Sequence, residues 1–325
     1  MNEIKYEISE VGSNSEWDSF LLKSENQNIY SSSEFIVNSK KSFKKFFIKK
    51  NEEIFASFNL CVENNMINLG DRIYTPLNFK FFDKQNPSSV KYKKFEIINE
   101  YAKFIKKNFN SGEICFDRST NDLRPFNWLN FEEKKKIFFV KEVKYTTIIK
   151  LKNYEILNSY DEIINSKSYK NFSRSLKQQI NKSTDSKLEF EENYDEIFFQ
   201  NTLERTFNNQ GKKIDTDIIL LKKIYNELYK NKKLYMFINS DTNKKLSYCI
   251  FGVIGKNAIY LNGGRVNNTN DDVSLSHNLI MSLSELKKKG VEIVDLEGVN
   301  SPKRGFWKLG FGGEIKPYYH ISFKS

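Results

Sequence analysis

The sequence predicts an α/β protein built from two tandem copies of one module, each a mixed β-sheet flanked by helices. Three observations support this prediction. The chain has 325 residues, which suffices for two domains of about 150 residues. Short apolar runs of strand length alternate with amphipathic helical segments. The same order of elements also occurs twice, and this repeat places the domains at 1–150 and 151–325.

The first copy starts with strands and continues with one long helix. Apolar runs at 45–49, 54–61 and 66–69 are separated by polar, Asn-rich turns and predict three strands. The segment 92–109 predicts a helix that stops at Ser111-Gly112, followed by a returning strand at 113–117. The helix is predicted because five apolar residues share one of its faces. They are Ile98, Tyr101, Ala102, Ile105 and Phe109.

The second copy repeats this order. Strands are predicted at 234–238, 246–254 and 258–262. A helix over 274–289 follows, because Leu275, Leu279, Leu283 and Leu286 lie on one stripe. Gly290 is expected to end this helix, and the next strand is expected at 291–296.

The repeat extends beyond the last strand of each copy. Arg124–Phe131 follows a strand that ends in Asp117, and Arg304–Phe311 follows one that ends in Asp295. Each segment combines basic and aromatic residues and is expected to precede a pair of strands. The predicted pairs are 137–140 with 145–151, and 314–316 with 319–323.

Helices predicted between the two copies carry a basic stripe. The predicted helices cover 169–182, 195–207 and 217–230. In the first of them, Arg174, Lys177 and Lys182 lie opposite an apolar face. This stripe is either a contact for transfer RNA or a diphosphate, or simply a solvated face, and Arg174 is retained as a candidate substrate contact.

Composition restricts the class of protein and its partners. The net charge of +11 favours anionic partners such as nucleic acid, nucleotide-linked sugars or an anionic leaflet, although a coat of solvated lysines would give the same value. No apolar stretch approaches the length of a membrane span, and the N-terminus lacks the apolar region of a signal peptide. A cytoplasmic protein with reduced cysteines is therefore expected.

Five motifs in order give the sequence its resemblance to a known family. They are Asn28–Phe35, Leu123–Trp128 with Val143–Thr147, Ser173–Ile180, Ser276–Met281 with Val294–Gly298, and Gly305–Glu314 with Lys316–Tyr319. Together these segments resemble the FemAB/FemX-like branch of the GNAT acyltransferase superfamily, which carries two tandem GNAT-like modules.

The resemblance implies transfer of an acyl or aminoacyl group onto an amine. In FemX-like members the donor is an aminoacyl-tRNA and the acceptor is a peptidoglycan precursor, and other relatives belong to surface-polysaccharide pathways. A lysine in the family's F-K-x-x-F-G segment is implicated in catalysis, and Lys308 matches it with Trp307 inserted before it. The expected acceptor is an anionic, nucleotide-linked or lipid-linked molecule, and peripheral contact with a membrane is compatible with it.

Three residues are candidates for the chemistry of amide formation. A fixed cation stabilises the oxyanion of the tetrahedral intermediate, and Lys308 is the candidate for this role. A carboxylate accepts the proton of the attacking ammonium, and Asp295 and Glu297, at the end of a predicted strand with i, i+2 spacing, are the candidates. The alternatives are a surface lysine, an Asp295 that caps the loop, and a Glu297 paired with Arg304 or Lys308.

His277 and Arg265 flank a predicted turn at Gly263-Gly264. His277, in the first turn of the following helix, is a candidate base or ligand, or a structural histidine. Arg265 stands where a GNAT fold binds the pyrophosphate of its donor, but the segment 265–270 lacks the glycines of the usual acetyl-CoA motif. This difference favours a tRNA-linked or carrier-linked donor over acyl-CoA, but the sequence does not decide between the two kinds of donor. Tyr260, on the preceding strand, is a further candidate for substrate binding.

Arg124 and Trp128 are candidates for binding a phosphate and a sugar or peptide face, with packing of the first module as the alternative. No bound cofactor and no metal site are predicted. Asp215-Thr216-Asp217 has the spacing of a glycosyltransferase metal motif, but it precedes a helix and is better explained as an N-cap. A non-catalytic protein that binds tRNA or other nucleic acid remains the alternative function.

Overall fold

The computed structural model describes residues 6–39, 41–82, 85–132, 138–182, 188–209, 211, 217–242, 244–266 and 274–324. The chain divides into two compact units. The first unit contains Met1–Lys144 and Pro317–Ser325, and the second contains Tyr145–Lys316. The division after residue 144 lies close to the expected boundary at 150, and the last nine residues group with the first unit.

The first unit contains strands and helices in the predicted order. These are β1 (Glu7–Glu10), α1 (Asn14–Leu22), α2 (Ser33–Asn38), β2 (Phe43–Lys50), β3 (Glu53–Glu63), β4 (Met66–Asn68), β5 (Leu77–Phe79), α3 (Pro87–Asn108), β6 (Ser111–Phe116), α4 (Arg124–Glu132) and β7 (Phe139–Lys150), which continues into the second unit.

The second unit repeats the strand–helix–strand order and adds helices before it. Its elements are α5 (Lys167–Lys170), α6 (Arg174–Lys182), β8 (Glu189–Glu192), α7 (Glu196–Asn209), α8 (Ile218–Lys230), β9 (Leu234–Asp241), β10 (Lys244–Ile254), β11 (Asn257–Arg265), α9 (Ser274–Lys288), β12 (Ile293–Gly298), α10 (Pro302–Leu309) and β13 (Glu314–Lys324), which ends in the first unit.

Strand pairing confirms that the two units contain the same module. In the first unit β1, β2, β3, β4, β6 and β13 pair in that order, with β5 on β3; in the second, β7, β12, β11, β10, β9 and β8 do so. Among the pairs described for each unit, one is parallel: β4 with β6 across α3, and β11 with β12 across α9. A parallel pair needs a long crossover, and in both units a helix supplies it.

Each crossover helix covers its sheet with the apolar face that its sequence predicts. In α3 the buried residues are Ile97, Ile98, Tyr101, Ala102 and Ile105, and they pack in the first core with residues of β3 and β6. In α9, Leu279, Leu283 and Leu286 pack in the second core. Gly290 follows α9 with φ +85°, the left-handed conformation expected of a residue that ends a helix.

Several predicted boundaries are wrong. The two predicted strand pairs are single strands, β7 and β13, because no residue that favours a turn interrupts 141–144 and because proline at 317 has a φ that suits extended backbone. Ser111 and Gly112 do not stop α3 but begin β6. The predicted helix 169–182 is split into α5 and α6 at Ser173, whose hydroxyl caps the second helix by accepting from the Leu176 N–H.

The predicted turn at Gly263-Gly264 is part of β11, where these residues pair with Cys249 and Tyr248. Glycine is required there for packing rather than for turning. A Cβ on Gly263 would overlap the hydroxyl of Tyr260, and one on Gly264 would meet Thr202 and the ring of Tyr248. The three cysteines are buried free thiols, as predicted.

Candidate active site in the second unit

A β-bulge at the end of β12 places two carboxylates in the second unit. β12 pairs with β7 at Asp295–Ile148 and next at Gly298–Thr146, so two residues of β12 face one residue of β7. Glu297, within this bulge, has φ +59°. Bulges redirect side chains and are common beside active sites, and left-handed backbone at a residue other than glycine is strained and concentrates at functional sites.

The bulge corrects the predicted relation between Asp295 and Glu297. Regular alternation along a strand does not continue through a bulge, so their i, i+2 spacing does not by itself bring them together. Instead, the Glu297 N–H donates to Asp295 Oδ1 at 2.7 Å, and the Thr146 hydroxyl donates to the same oxygen. Both carboxylates are buried, with 6% and 5% of their surface exposed.

Lys308, in the last turn of α10, lies within electrostatic range of these two carboxylates. Its ammonium donates to the Gly298 carbonyl at 3.3 Å and lies 5.6 Å from the centre of the Tyr260 ring. Burial lowers the pKa of Lys308, and the charges of Glu297 and Asp295 oppose that shift. A cation and two carboxylates therefore share one partly dehydrated environment, where electrostatic interactions are stronger than in water.

Close packing of α10 fixes the position of Lys308. A Cβ on Gly305 would overlap the carbonyl of Val299, so glycine lets the helix approach the backbone that follows β12. Trp307, the residue before Lys308, is also held in place, because its indole N–H donates to the Ser276 hydroxyl at 3.0 Å. The Trp307 ring also packs edge-on against the buried Phe311, at 5.1 Å between centres.

Tyr260 lies where β11 and β12 part. The parallel ladder covers three positions and ends at Ile259 and Asp295, although β11 continues to Arg265 and β12 to Gly298. The Tyr260 hydroxyl hydrogen-bonds the Cys249 thiol, and burial raises the pKa of Tyr260 well above its usual value. Tyr260 therefore stays a neutral phenol whose ring faces Lys308.

The structure thus brings together four of the predicted site residues: Lys308, Glu297, Asp295 and Tyr260. His277 is buried on α9, with its ring centre 5.2 Å from that of Tyr160. Burial lowers the pKa of His277 to about 4, so the imidazole is neutral at physiological pH.

The other predicted substrate contacts in the second unit are surface residues. Arg174 is exposed at the start of α6, and the preceding Ser173 N–H donates to the carbonyl of Gly310, close to the end of α10. Arg265 is the last residue of β11 and is partly exposed. Residues 267–270 of the predicted donor segment and the side chain of Lys182 lie outside the described part of the chain.

Arg124 and Trp128 belong to the first unit, on one exposed face of α4. The Arg124 guanidinium forms two parallel hydrogen bonds with the Asp122 carboxylate, at 2.9 and 2.6 Å, and lies over the ring of Phe95. The pair lowers the pKa of Asp122. Trp128 packs edge-on against the same Phe95 ring, with 4.8 Å between centres.

Thr146 and Gly305 are site residues that sequence reasoning did not identify. Thr146 belongs to a recognised motif, yet only the pairing of β7 with β12 places it on Asp295. Within the described residues, no group of three or more His, Cys, Asp or Glu side chains could hold a metal ion. Asp217 caps α8 by accepting from the Leu220 N–H, as predicted, whereas Asp215 and Thr216 lie outside the described residues.

No protein-family model and no curated protein sequence matches the chain. Solved structures do match it. FemX aligns over 96% of both chains with a TM-score of 0.64 and 13% identity. A tandem GNAT protein from the clavulanic acid biosynthesis pathway aligns over 98% of both chains, with a TM-score of 0.50 and 6% identity.

The chain has the tandem GNAT fold. The predicted resemblance to FemX is confirmed at the level of the fold. The C-terminal domain of a putative lysylphosphatidylglycerol synthetase from Agrobacterium fabrum is also similar, with a TM-score of 0.53 and 9% identity over 96% of this chain and 93% of that one. Across the described residues, no helix combines the length and apolar character that a membrane span requires.

Proposed function

We propose that the chain transfers an acyl or aminoacyl group from an activated ester to an amine. One observation carries this proposal: a cationic Lys308 and the buried carboxylates of Glu297 and Asp295 lie together where β11 and β12 part. Amide formation needs both kinds of group, because charge develops on the carbonyl oxygen while the attacking ammonium must lose a proton.

Each residue has a distinct role in this reaction. The amine attacks the ester carbonyl, a C–N bond forms, and the oxyanion of the tetrahedral intermediate is stabilised by the Lys308 ammonium. Glu297 accepts the proton of the attacking amine. Asp295 positions Glu297, because its carboxylate accepts the Glu297 N–H and holds the bulge. Collapse of the intermediate then breaks the C–O bond, and Glu297 returns its proton to the leaving oxygen, so that the donor is released with a free hydroxyl group.

An aminoacyl-tRNA is the proposed donor, and an amine on a cell-wall precursor or amino-sugar intermediate is the proposed acceptor. The net charge of +11 suits both of these anionic molecules. Two of the structurally similar proteins are FemX and a domain named for lysylphosphatidylglycerol synthesis, a name that describes lysine joined to a lipid. Acyl-CoA is the alternative donor, since a further similar structure is a tandem GNAT protein.

A mass-resolved transfer assay tests the proposal. The purified full chain is incubated with mixed aminoacyl-tRNAs or with acyl-CoAs, and with amino-sugar nucleotides and muropeptides as acceptors. We expect an acceptor whose mass increases by one aminoacyl or acyl group, and a rate of product formation at least about 100-fold lower with Lys308→Ala or Glu297→Gln. If product formed with acyl-CoAs but not with aminoacyl-tRNAs, acyl-CoA would be the donor in place of aminoacyl-tRNA. Absence of any product, or product formed equally by both variants, would contradict the proposed function.

A further inference from the structure

Helices α3 and α4 of the first unit expose large aromatic side chains that the proposed chemistry does not use. Tyr92 on α3 is 65% exposed, and on α4 Trp128 is 54% and Phe131 is 90% exposed. Phe and Trp side chains seldom remain this open when a helix face has no partner, and grouped exposed aromatic residues indicate an interaction surface.

We name five side chains of these two helices the α3–α4 aromatic surface: Tyr92, Phe95, Arg124, Trp128 and Phe131. Phe95 joins the two helices, because it contacts the Trp128 ring and lies beneath the Arg124 guanidinium. Tyr92 precedes Phe95 by three residues on α3, and Phe131 follows Trp128 by three on α4. Helical residues three apart share a face.

The charge of α3 complements an anionic surface. This helix contains six lysines and two glutamates, a net charge of +4 from its own residues. Lys91, next to Tyr92, is exposed. Lysines beside an aromatic patch strengthen association with anionic headgroups, whereas Trp and Tyr rings favour the boundary between headgroups and acyl chains.

We infer that the α3–α4 aromatic surface docks onto an anionic lipid bilayer. A single-stranded nucleic acid would also stack on exposed rings, but it needs free cations beside them to contact its phosphates. Of the described cations that flank Phe95, the Arg124 guanidinium is already bound by the Asp122 carboxylate and the Lys94 ammonium by the Glu25 carboxylate. Phe131, the most exposed of the aromatic residues, has no polar atom to contact a nucleotide edge and is suited to insertion between lipids. The inference stands on this surface and is independent of the proposed reaction.

Sedimentation with vesicles tests the inference. The full chain is mixed with vesicles of phosphatidylcholine alone or of phosphatidylcholine with phosphatidylglycerol. We expect binding to the phosphatidylglycerol vesicles, and at least about a tenfold loss of partition for Trp128→Ser/Phe131→Ser, because two interfacial aromatic contacts are removed. A matched control is Ile197→Ser/Ile219→Ser, which removes two side chains of the second unit that are 71% and 77% exposed. This control is expected to bind like the unaltered chain.

Quenching by brominated lipid provides a second measurement that reports on Trp128 directly. Trp17 is fully buried and Trp307 is bound to Ser276. We therefore expect brominated phosphatidylglycerol to quench the unaltered chain more strongly than Trp128→Phe, which keeps an aromatic ring. Thermal unfolding verifies that the variants are folded. The inference would be overturned if the Trp128→Ser/Phe131→Ser variant bound vesicles as the unaltered chain does. If that variant kept its vesicle binding but lost binding to bulk tRNA, the surface would be assigned to nucleic acid.

Discussion

The helices α4 and α10 occupy the same position in the two copies of the module but bury opposite faces. In the repeat, Phe126 corresponds to Phe306 and Trp128 to Lys308. Phe126 is buried whereas Phe306 is 78% exposed. Trp128 points outward, whereas Lys308 is held beside the carboxylates of its unit. One sequence pattern therefore gives an outward aromatic face in one copy and an inward cation in the other.

The turns before these helices show what the two copies keep and what they change. In both, the aspartate at the strand end accepts the N–H of the residue two positions on: Ser119 donates to Asp117 at 3.0 Å, and Glu297 to Asp295 at 2.7 Å. This hydrogen bond is thus repeated, but Glu297 has φ +59° whereas the φ of Ser119 is not positive, and only the second copy places a carboxylate at the second position. The two copies therefore share a hydrogen bond at the end of this strand, while the backbone at the second position and the side chains around it differ.

The largest expected effect is that of removing the cation. Lys308→Ala is expected to lower the transfer rate about 100- to 1,000-fold, the usual effect of losing one group that stabilises an oxyanion. Lys303→Ala, on the exposed side of the same helix, is the control and is expected to stay within about twofold, because surface lysines are dispensable. Steady-state kinetics measures both.

A lysine at the corresponding position of the first unit sharpens this test. Lys308→Ala/Trp128→Lys carries the cation on the outward face of α4, where no carboxylate pair is described. Its activity is therefore expected to remain as low as that of Lys308→Ala. Recovery of activity would show that the two copies are interchangeable and would break the comparison.

The next largest effect on the transfer rate is expected from removing the charge of Glu297. Glu297→Gln keeps the size of the side chain but cannot accept a proton, and the transfer rate is expected to fall about 100-fold. Ser119→Ala, the matching position in the first unit, is expected to change the rate by less than about twofold. Equal losses in both variants would contradict the assignment of the chemistry to the second copy.

Gly305→Ala tests whether close packing of α10 positions Lys308. The added Cβ meets the Val299 carbonyl, so the helix must shift. We expect the free energy of unfolding to fall by about 1 to 3 kcal/mol and the transfer rate to fall about tenfold, because small displacements of reactive groups are costly. Gly12→Ala, where nothing lies within 4 Å of the new Cβ, is the control in thermal unfolding and activity measurements. Unchanged activity of Gly305→Ala would show that Lys308 does not depend on this contact.

The smallest expected effect is a shift in the pH dependence of the transfer rate. Lys308 must carry its proton to stabilise an oxyanion, so kcat/KM is expected to fall as pH rises through the pKa of Lys308, which burial places below the ordinary lysine value. Lys308→Arg keeps a cation that does not titrate in this range. The alkaline decline should therefore move to higher pH in this variant, and an unmoved decline would assign it to another group.

Much of the fold was predictable because it depends on local patterns. Apolar periodicity located the crossover helices α3 and α9, and the repeated order of strands indicated two modules. The strands β7 and β13 were predicted as pairs because sequence reasoning assumed a turn where the backbone stays extended. Polarity alone does not separate a stretch within a strand from a short turn, and pairing partners that lie far apart in sequence also contribute to the outcome.

The site was predictable in its residue types but not in its geometry. Lys308, Asp295, Glu297 and Tyr260 were identified from motifs and strand position. The bulge that sets Glu297 was not, because it depends on the register between β7 and β12, two strands separated by more than a hundred residues. The sequence left open whether Trp128 binds substrate or packs in the first module for a similar reason: the faces that a helix buries depend on its tertiary packing, and α4 carries aromatic residues on both faces.

Under the proposed reaction, the left-handed backbone of Glu297 sets catalysis against stability at a single position. Glycine adopts φ near +59° without steric penalty, and a side chain makes that conformation unfavourable. Replacing Glu297 with glycine would therefore relax the backbone while removing the carboxylate. Directed evolution for heat resistance alone is expected to enrich glycine at this residue, and on the proposed mechanism these proteins would lose transfer activity.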